Sequence, residues 1–291
     1  MTKKIQFVAA PQESHWVGDG FKVHNLIPSL PGLSMKEMDP FIMLDYNALM
    51  QVEPHEVPRG VGVHPHRGFE TVTIAYEGKV EHHDSGGGGG IIGTGDVQWM
   101  TAASGVLHKE YYERQWCRQG GAFQMVQLWT NLPAKDKMNP PSYQAIANAD
   151  MGRQELDDGK SFIEVIAGQY GEVQGPAKTH SPIHMMNAKL FDGAKAEFSF
   201  PAHYNTLVLV ISGQVLVNGT EVATDHLVKF ANEGESFSIQ ALGEHAVALV
   251  LSGEPLNEPI AAYGPFVMNT PGEIKQAFID YNLGKFGYLE D

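Results

Sequence analysis

The chain has 291 residues, of which 43% are hydrophobic and 19% charged, an ordinary composition for a globular protein with room for two domains. Its formal net charge of −14 argues against direct binding to the phosphate backbone of nucleic acids, and no apolar run approaches the roughly 20 residues that cross a bilayer. The single cysteine, Cys117, cannot form an internal disulfide, and residues 1–16 lack the apolar core of a secretory signal, so we expect a soluble cytoplasmic protein.

Short runs rich in valine, isoleucine, threonine and aromatic residues recur along the chain, separated by glycine and proline. In chain order they are FETVTIAYEG, GDVQWMTA, AFQMVQLWTN, SFIEVIAGQYG, AKAEFSFP, TLVLVISGQVLVNG and HAVALVLSG. Many short strands divided by turn residues predict an all-β protein, built as a sandwich or a barrel. Trp99 and Met100, in the second run, are expected to lie in the core.

Two of these segments resemble each other. VTIAYEGKVEHHDS (72–85) and LVLVISGQVLVNGT (207–220) each consist of an apolar strand, a glycine and a second strand. Such a repeat predicts two similar β-domains. Because a polar, proline-rich stretch suits a linker, we place an N-terminal domain at 1–133, a linker at 134–142 and a C-terminal domain at 143–264.

Helical periodicity is convincing mainly near the end of the chain, where residues 265–291 are predicted to form a short α-helix and a tail. Thr270 and Glu273 make a capping-box pattern, with Pro271 at the first helical position. Gly284 follows as a stop signal. The predicted apolar face of this helix carries Ile274, Ala277, Phe278 and Tyr281.

Histidines at alternate positions mark the stretch GVHPHRGFET (62–71). Because side chains two apart on a strand point to the same face, His64 and His66 should converge, and buried imidazoles need a partner for their lone pairs. The stretch GVLHKEYYE adds a second such pair, His108 and Glu110. Three imidazoles and one carboxylate suit one divalent first-row metal, Fe(II), Mn(II), Ni(II), Cu(II) or Zn(II), with two positions left for substrate or dioxygen.

The motifs HPHRGFETVT, GDVQWMTA, GVLHKE, QLWTNLP and GPFVMNT closely resemble the pirin family of the cupin superfamily, over about residues 10–287. The resemblance implies a bicupin, in which two antiparallel β-barrels face each other and only the N-terminal barrel holds metal. It also implies that iron is bound by His64, His66, His108 and Glu110. We expect a monomer, because the second barrel supplies the packing surface that a single cupin gains by dimerising.

A second glutamate complicates the ligand set. Glu70 has the same strand parity as His64 and His66, and cupins in general use a glutamate at that spacing as a ligand. The resemblance to pirins implies a different ligand, the glutamate of the H-x-E motif. We therefore expect Glu110 to be the ligand and Glu70 to be a supporting or packing residue.

Other candidates are weaker. With thirteen histidines in the chain, the pair His82-His83 is expected by chance. The glycine run 86–90 lacks the lysine and hydroxyl of a phosphate-binding loop and is predicted to connect a hairpin, with a mobile lip over the pocket as a secondary hypothesis. Ordinary surface or turn positions are expected for the polar residues of the second barrel, His203, Glu221, His226 and His245.

The resemblance implies an oxidoreductase of the quercetin 2,3-dioxygenase type, which opens a flavonol ring with dioxygen. The flavonol would bind through its 3-hydroxyl, and Glu110 or Glu70 would accept the proton. The alternative is an iron-dependent, redox-sensing regulator that binds a transcription factor or a metabolic enzyme, which an acidic surface suits better than DNA. A third interpretation is a vestigial cupin whose metal only stabilises the barrel.

Overall fold

The computed structural model describes residues 1–291, and the chain forms two compact units, each made of two separate segments. The first unit consists of Gln12–Asn148 and Leu256–Asp291. The second unit consists of Met1–Pro11 and Ala149–Pro255. Most of the ordered elements are strands, and none of the helices has the length and apolar character that crossing a membrane requires.

The strands and helices are numbered separately in chain order. The strands are β1 (Ile5–Ala9), β2 (His15–Val17), β3 (Phe21–Ile27), β4 (Phe41–Val52), β5 (Gly60–His66), β6 (Phe69–Glu77), β7 (Val80–Asp84), β8 (Gly89–Ile92), β9 (Val97–Thr101), β10 (Val106–Tyr112), β11 (Gly121–Asn131), β12 (Ser142–Ile146), β13 (Gly152–Glu155), β14 (Phe162–Ala167), β15 (Gln169–Tyr170), β16 (Val173–Gln174), β17 (Ile183–Phe191), β18 (Lys195–Ser199), β19 (Asn205–Val217), β20 (Thr220–Val222), β21 (Leu227–Phe230), β22 (Ser236–Gly253), β23 (Ala261–Tyr263) and β24 (Phe266–Met268). The helices are α1 (Met35–Met38), α2 (Arg114–Gln119) and α3 (Pro271–Asn282), with a 3-10 turn at Asn148–Asp150.

The first unit is built on two antiparallel sheets. One has the strand order β12-β9-β6-β11-β4-β3-β2, and the other has the order β5-β10-β7-β8. The short hairpin β23-β24 and helix α3 complete the unit. The smaller sheet carries both predicted histidine segments, because β5 and β10 are neighbours in it.

The second unit is built on one large antiparallel sheet. Its main path runs β1-β21-β19-β22-β17-β14-β13, with β18 paired to β22 and β20 paired to β19. Its main hydrophobic cluster comes from alternating positions of these strands, as in Val208 and Val210 of β19. Of the polar residues singled out there, His203, Glu221 and His245 are exposed and His226 is half-buried.

The chain ends explain why these units differ from the contiguous domains predicted at 1–133 and 143–264. Strand β1 pairs with β21 and so belongs to the second unit, although it begins the chain. The segment from residue 256 onward belongs to the first unit, as does the predicted linker 134–142. Pairing between segments so far apart in sequence leaves no local signal in either one.

The predicted fold class is confirmed: the protein is mostly β-structure and ends in a short α-helix. Trp99 and Met100 are fully buried, as expected. The capping box of Thr270 and Glu273 is present, and Gly284 has the positive φ of a helix-terminating residue (φ 73°).

The buried face of α3 differs in one position from the predicted apolar face. Ile274 and Ala277 are buried as expected, whereas Tyr281 is 40% exposed and Asp280 is buried in its place. The Asp280 carboxylate accepts hydrogen bonds from Arg67 Nη1 at 2.9 Å and from Lys285 Nζ at 2.8 Å. These hydrogen bonds, with that of Gln276, hold the pKa of Asp280 well below its usual range. A charged residue is therefore buried on this face because it has a buried partner.

The Arg67–Asp280 pair joins the C-terminal helix to the turn that follows β5. The guanidinium of Arg67 also donates from Nε to the carbonyl oxygen of Ser104 at 2.7 Å and lies 4.7 Å from the ring centre of Phe286. Both members of the ion pair are shielded from water, with side-chain exposures of 5% and 9%. Because Arg67 directly follows His66, this pair fixes the end of the strand that carries the two histidines.

The substitution Asp280→Asn should destabilise the protein by about 3–5 kcal/mol at pH 7, because it leaves the buried Arg67 guanidinium without a counter-charge. The carboxylate's contribution is full above its unfolded pKa of about 3.9 and is lost as the pH falls through the lower folded pKa. The wild-type advantage in urea unfolding should therefore shrink only in strong acid.

Asp192→Asn is the matched control, because the Lys160–Asp192 pair is 2.8 Å long but more than half exposed at both side chains. Exposed pairs contribute about 0–1 kcal/mol. Equal losses in the two variants would contradict the role given to the buried pair.

Candidate metal centre

The pairing of β5 with β10 brings the three predicted histidines together. His64 lies directly opposite His108 across the two strands, and His66 lies two residues farther along β5. The imidazole ring centres are 4.1 Å apart for His64 and His108, and 4.6 Å apart for His66 and His108. One ring nitrogen of each residue lies within 4.8 Å of the other two, so the three histidines can hold one ion.

Glu110 lies two residues after His108 on β10 and is also buried. Its Oε2 accepts a hydrogen bond from Gln127 Nε2 at 2.8 Å. Its Oε1 is 3.4 Å from the Thr73 hydroxyl and 3.4 Å from Gln98 Nε2. Glu110 belongs to a second group of potential ligands with His108 and His82, and His108 is common to both groups.

His82 is a member of the centre that the sequence did not reveal. The pair His82-His83 was attributed to chance, but the two residues point in opposite directions from β7. His82 is fully buried beside Glu110 and His108, whereas His83 is exposed. The alternation of Val80, His82 and Asp84, all buried, is the period-2 signal that identifies the inward face of β7.

Two of the imidazoles, those of His66 and His108, are in the neutral state that metal binding requires. Burial, together with the neighbouring histidines, lowers the pKa of His66 and of His108 well below 6.5, so both rings are neutral at pH 7. The Nε2 atom of His108 is buried and has no hydrogen-bond partner. A neutral buried imidazole with an unused nitrogen is costly unless something accepts its lone pair, and a metal ion does so.

Two of the histidines are oriented by backbone carbonyls. The Nδ1 atom of His64 lies 2.8 Å from the carbonyl oxygen of Gly62, and that of His66 lies 3.4 Å from the carbonyl oxygen of Pro265. Since a carbonyl only accepts, each Nδ1 carries the proton and each Nε2 presents its lone pair. The residues present therefore fit a metal ion, with nitrogen and oxygen donors and no sulfur.

A cavity of about 320 Å³ opens on this centre. Its size is at the lower end of the range for small-molecule sites. Trp129 packs edge-on against His66 at 5.0 Å between ring centres and stacks on Phe69 at 4.1 Å. The lining is mostly apolar and consists of Val17, Phe21, Val23, Met43, Asp45, Val61, His64, His66, Glu110, Met125, Gln127 and Trp129.

Asp45 is a second carboxyl group in this cavity, and the sequence did not single it out. Its side chain is 8% exposed, and Oδ1 accepts a hydrogen bond from Asn25 Nδ2 at 2.6 Å. Burial raises the pKa of Asp45, an effect that the bond from Asn25 partly offsets. It is therefore a carboxyl that holds its proton to a higher pH than an exposed aspartate.

Glu70 does not share the face of the three histidines. The turn at Arg67–Gly68, where Gly68 has φ 89°, separates β5 from β6, and the two strands belong to different sheets. Residue parity therefore does not carry across it. The Glu70 carboxylate accepts hydrogen bonds from the hydroxyls of Thr101 at 2.8 Å and Thr130 at 2.9 Å, on the strands to either side.

The glycine run 86–90 connects β7 to β8, as predicted for a hairpin. Its backbone amides at Gly86 and Gly88 donate to Asp84 Oδ1 at 2.8 and 2.9 Å. A Cβ atom on residue 88 would lie 2.3 Å from Asp84 Oδ2 and 2.6 Å from Tyr143 Cβ. Glycine at this position allows the chain to pass close to both side chains.

The chain is similar to known proteins over nearly its whole length. Family models match residues 20–130, as Pirin, and residues 185–287, as the Pirin C-terminal cupin domain. A protein from Pseudomonas aeruginosa, provisionally named quercetin 2,3-dioxygenase, is 47% identical over 284 residues and covers 98% of each chain.

Solved structures agree. The crystal structure of a quercetin 2,3-dioxygenase from Acinetobacter baumannii covers 100% of both chains with a TM-score of 0.92 and 47% identity. A bacterial pirin from Escherichia coli, solved in complex with nickel(II), covers 86% of this chain and all of its own, with a TM-score of 0.64; at 19% identity this likeness concerns the fold alone. The predicted resemblance is confirmed, and the chain belongs to the pirin family, with the two cupin domains of a bicupin.

Proposed function

We propose that this protein is a metal-dependent dioxygenase of the quercetin 2,3-dioxygenase type, which acts on a flavonol-like substrate and dioxygen. The observation that carries the proposal is the convergence of three imidazoles, of which His64 and His66 line an apolar cavity of about 320 Å³ together with the Glu110 carboxylate. The names of the relatives at 47% identity support the same reaction class.

We assign the metal to His64, His66, His108 and Glu110, with Fe(II) as the proposed ion. Three nitrogens and one carboxylate oxygen suit Fe(II), and they also suit Mn(II), Ni(II), Cu(II) and Zn(II). Iron rests on the family resemblance. When bound, the ion would act as a Lewis acid toward a substrate hydroxyl and would supply the redox chemistry for the reaction with dioxygen.

The two carboxyl groups of the cavity, Glu110 and Asp45, have different proposed roles toward the substrate. Glu110 is the proposed proton acceptor for the substrate hydroxyl, because it lines the cavity and Gln127 and Gln98 hold it in place. Asp45, with its raised pKa, lies in the same cavity as a hydrogen-bonding group for a substrate oxygen. We give Glu70 no such role, because it does not line the cavity and accepts instead from the hydroxyls of Thr101 and Thr130.

The apolar residues that line the cavity are proposed to hold the aromatic rings of the substrate. Phe21, Val23 and Trp129 present flat or branched apolar surface to the cavity, which suits aromatic rings and excludes water. Excluding water strengthens the interaction between the substrate hydroxyl and its proton acceptor. The same walls leave few polar groups that could bind a sugar or a phosphate.

Substituting Glu110→Ala should weaken Fe(II) binding by more than about tenfold, because a direct ligand contributes at least as much as a residue behind a ligand. Glu70→Ala should keep one metal per chain, although it leaves two buried hydroxyls without their acceptor and lowers the melting temperature. Anaerobic titration with metal analysis after dialysis measures both. Loss of metal in the Glu70 variant alone would reverse the assignment.

Oxygen uptake tests the reaction itself. Protein loaded anaerobically with Fe(II) should consume dioxygen when quercetin is added, with loss of the flavonol absorbance. A His64→Ala variant should do neither, because it lacks one of the three imidazoles. If protein with one bound iron takes up no oxygen, the dioxygenase proposal is wrong and a regulatory role that depends on the metal becomes the better hypothesis.

Asp45→Asn tests the second carboxyl. The wild-type protein is destabilised at a pH above the raised pKa of Asp45, because ionising a buried carboxyl opposes folding, so the variant should unfold at a higher temperature at pH 8. This gain should shrink as the pH falls through the raised folded pKa of Asp45 and disappear below the unfolded pKa of about 3.9. Turnover should fall while stability rises, as is usual for residues kept for activity. A variant less stable than wild type at pH 8 would contradict the proposed role.

A further inference from the structure

We infer that His82, held in place by Asp84 and the glycine run 86–90, is a positioning residue for His108 in the metal centre. The inference rests on the metal site proposed above. It concerns residues that do not bind the ion, and it assigns a structural role to the buried His82 and to the glycine run.

The three candidate ligand histidines share one arrangement, and His82 completes it. The Nδ1 atoms of His64 and His66 each face a backbone carbonyl oxygen. The Nδ1 atom of His108 instead lies 3.4 Å from Nδ1 of His82. An acceptor at Nδ1 directs the Nε2 lone pair of a histidine toward the metal and raises its basicity. For His108 that acceptor is an imidazole.

The neighbours of His82 determine which of its nitrogens can accept. Gln98 Nε2 lies 2.9 Å from His82 Nδ1 and 3.4 Å from Glu110 Oε1. An amide nitrogen that faces a carboxylate is a donor, so His82 Nδ1 carries the lone pair and Nε2 carries the proton. The one lone pair of His82 Nδ1 is therefore shared between two donors, Gln98 Nε2 at 2.9 Å and His108 Nδ1 at 3.4 Å.

The opposite side of the His82 ring faces a carboxylate. The Nε2 atom of His82 is buried and lies 3.7 Å from Asp84 Oδ2. The other oxygen of Asp84 accepts from the amides of Gly86 and Gly88. These two bonds orient the carboxylate. Its Oδ2 atom is too far from His82 Nε2 for a hydrogen bond, but its negative charge favours the tautomer with the proton on Nε2.

The glycine run and Tyr143 hold this arrangement rigid. Any side chain on residue 88 would collide with Asp84 Oδ2 and with Tyr143. Tyr143 stacks on the His82 ring, with 5.5 Å between ring centres and an angle of 9° between the planes. The chain of contacts thus runs from the glycine run through Asp84 and His82 to His108.

His82 also belongs to a group of possible ligands with His108 and Glu110. Its Nδ1 already accepts from Gln98 at 2.9 Å, and its Nε2 faces Asp84. Neither nitrogen is left with a free lone pair for an ion. The contacts therefore place His82 behind His108.

Two substitutions at residue 82 separate positioning from packing. His82→Asn keeps an acceptor near the place of Nδ1 but loses the ring, whereas His82→Phe keeps the ring against Tyr143 but loses the acceptor. If His82 positions His108, the phenylalanine variant should bind Co(II) about 10–100-fold more weakly than wild type. The asparagine variant should keep most of the affinity. Competition with a chromogenic chelator gives the affinities, and the visible absorption of bound Co(II) reports the ligand geometry.

Each outcome decides a different point. The reverse order of the two variants would show that the ring only packs. Weaker binding in both, with a changed spectrum of the Co(II) that is still bound at saturation, would make His82 a ligand. Either result overturns the inference. Equal affinity for wild type and both variants also overturns it while leaving the proposed function intact. A wild-type protein that binds no Co(II) or Fe(II) would overturn the proposed function, and this inference with it.

A second pair of variants tests the glycine run. Gly88→Ala should weaken Co(II) binding several-fold by displacing Asp84. Gly93→Ala is the control, because its Cβ would meet its nearest neighbour at an ordinary 3.7 Å. Unchanged affinity in the Gly88 variant, with the chain folded as judged by circular dichroism, would remove the run from the proposed chain of contacts.

Discussion

The antiparallel pairing of β5 with β10 is the interaction on which the centre depends. It sets His64 opposite His108 and leaves His66 on the same face. Burial of His66 and His108 beside other imidazoles is unfavourable for the charged forms of these two rings and lowers the pKa of both. The cost of such burial is offset only if something accepts the lone pairs of these rings. A metal ion would do so at the place where the strands bring the rings together.

The segment after residue 255 matters to this centre as much as the strands do. The carbonyl of Pro265 faces His66, and Asp280 holds the arginine that follows it. Lys137 adds a third link, since its buried ammonium donates to the carbonyls of Gly68 and Val267 and to the side chain of Asn131. The turn after the histidine strand is therefore held from several directions, which suits ligands that must not move relative to one another.

The two cupin domains use their interiors differently. In the first unit, the buried positions of β5, β7 and β10 include five polar side chains, His66, His82, Asp84, His108 and Glu110. In the second unit, the equivalent need for a filled interior is met by valine, phenylalanine and alanine. The charged Glu164 that is buried there is paired with Lys189 at 3.0 Å and accepts a hydrogen bond from Asn187 at 3.2 Å. A buried charge needs such a partner.

The sequence by itself determined the strand-rich class, the capped C-terminal helix and the shared face of His64 and His66. These features follow from short-range periodicity: residues two apart share a face of a strand, and a capping box is read within four residues. The sequence could not determine which strands would pair. Only the tertiary structure decided that β1 joins the second unit and that the segment after residue 255 joins the first. It also separated Glu70 from the histidines by a turn, and it set His82, Asp84 and Asp45 beside the centre. Each of these depends on contacts between distant segments, whose register no local pattern encodes.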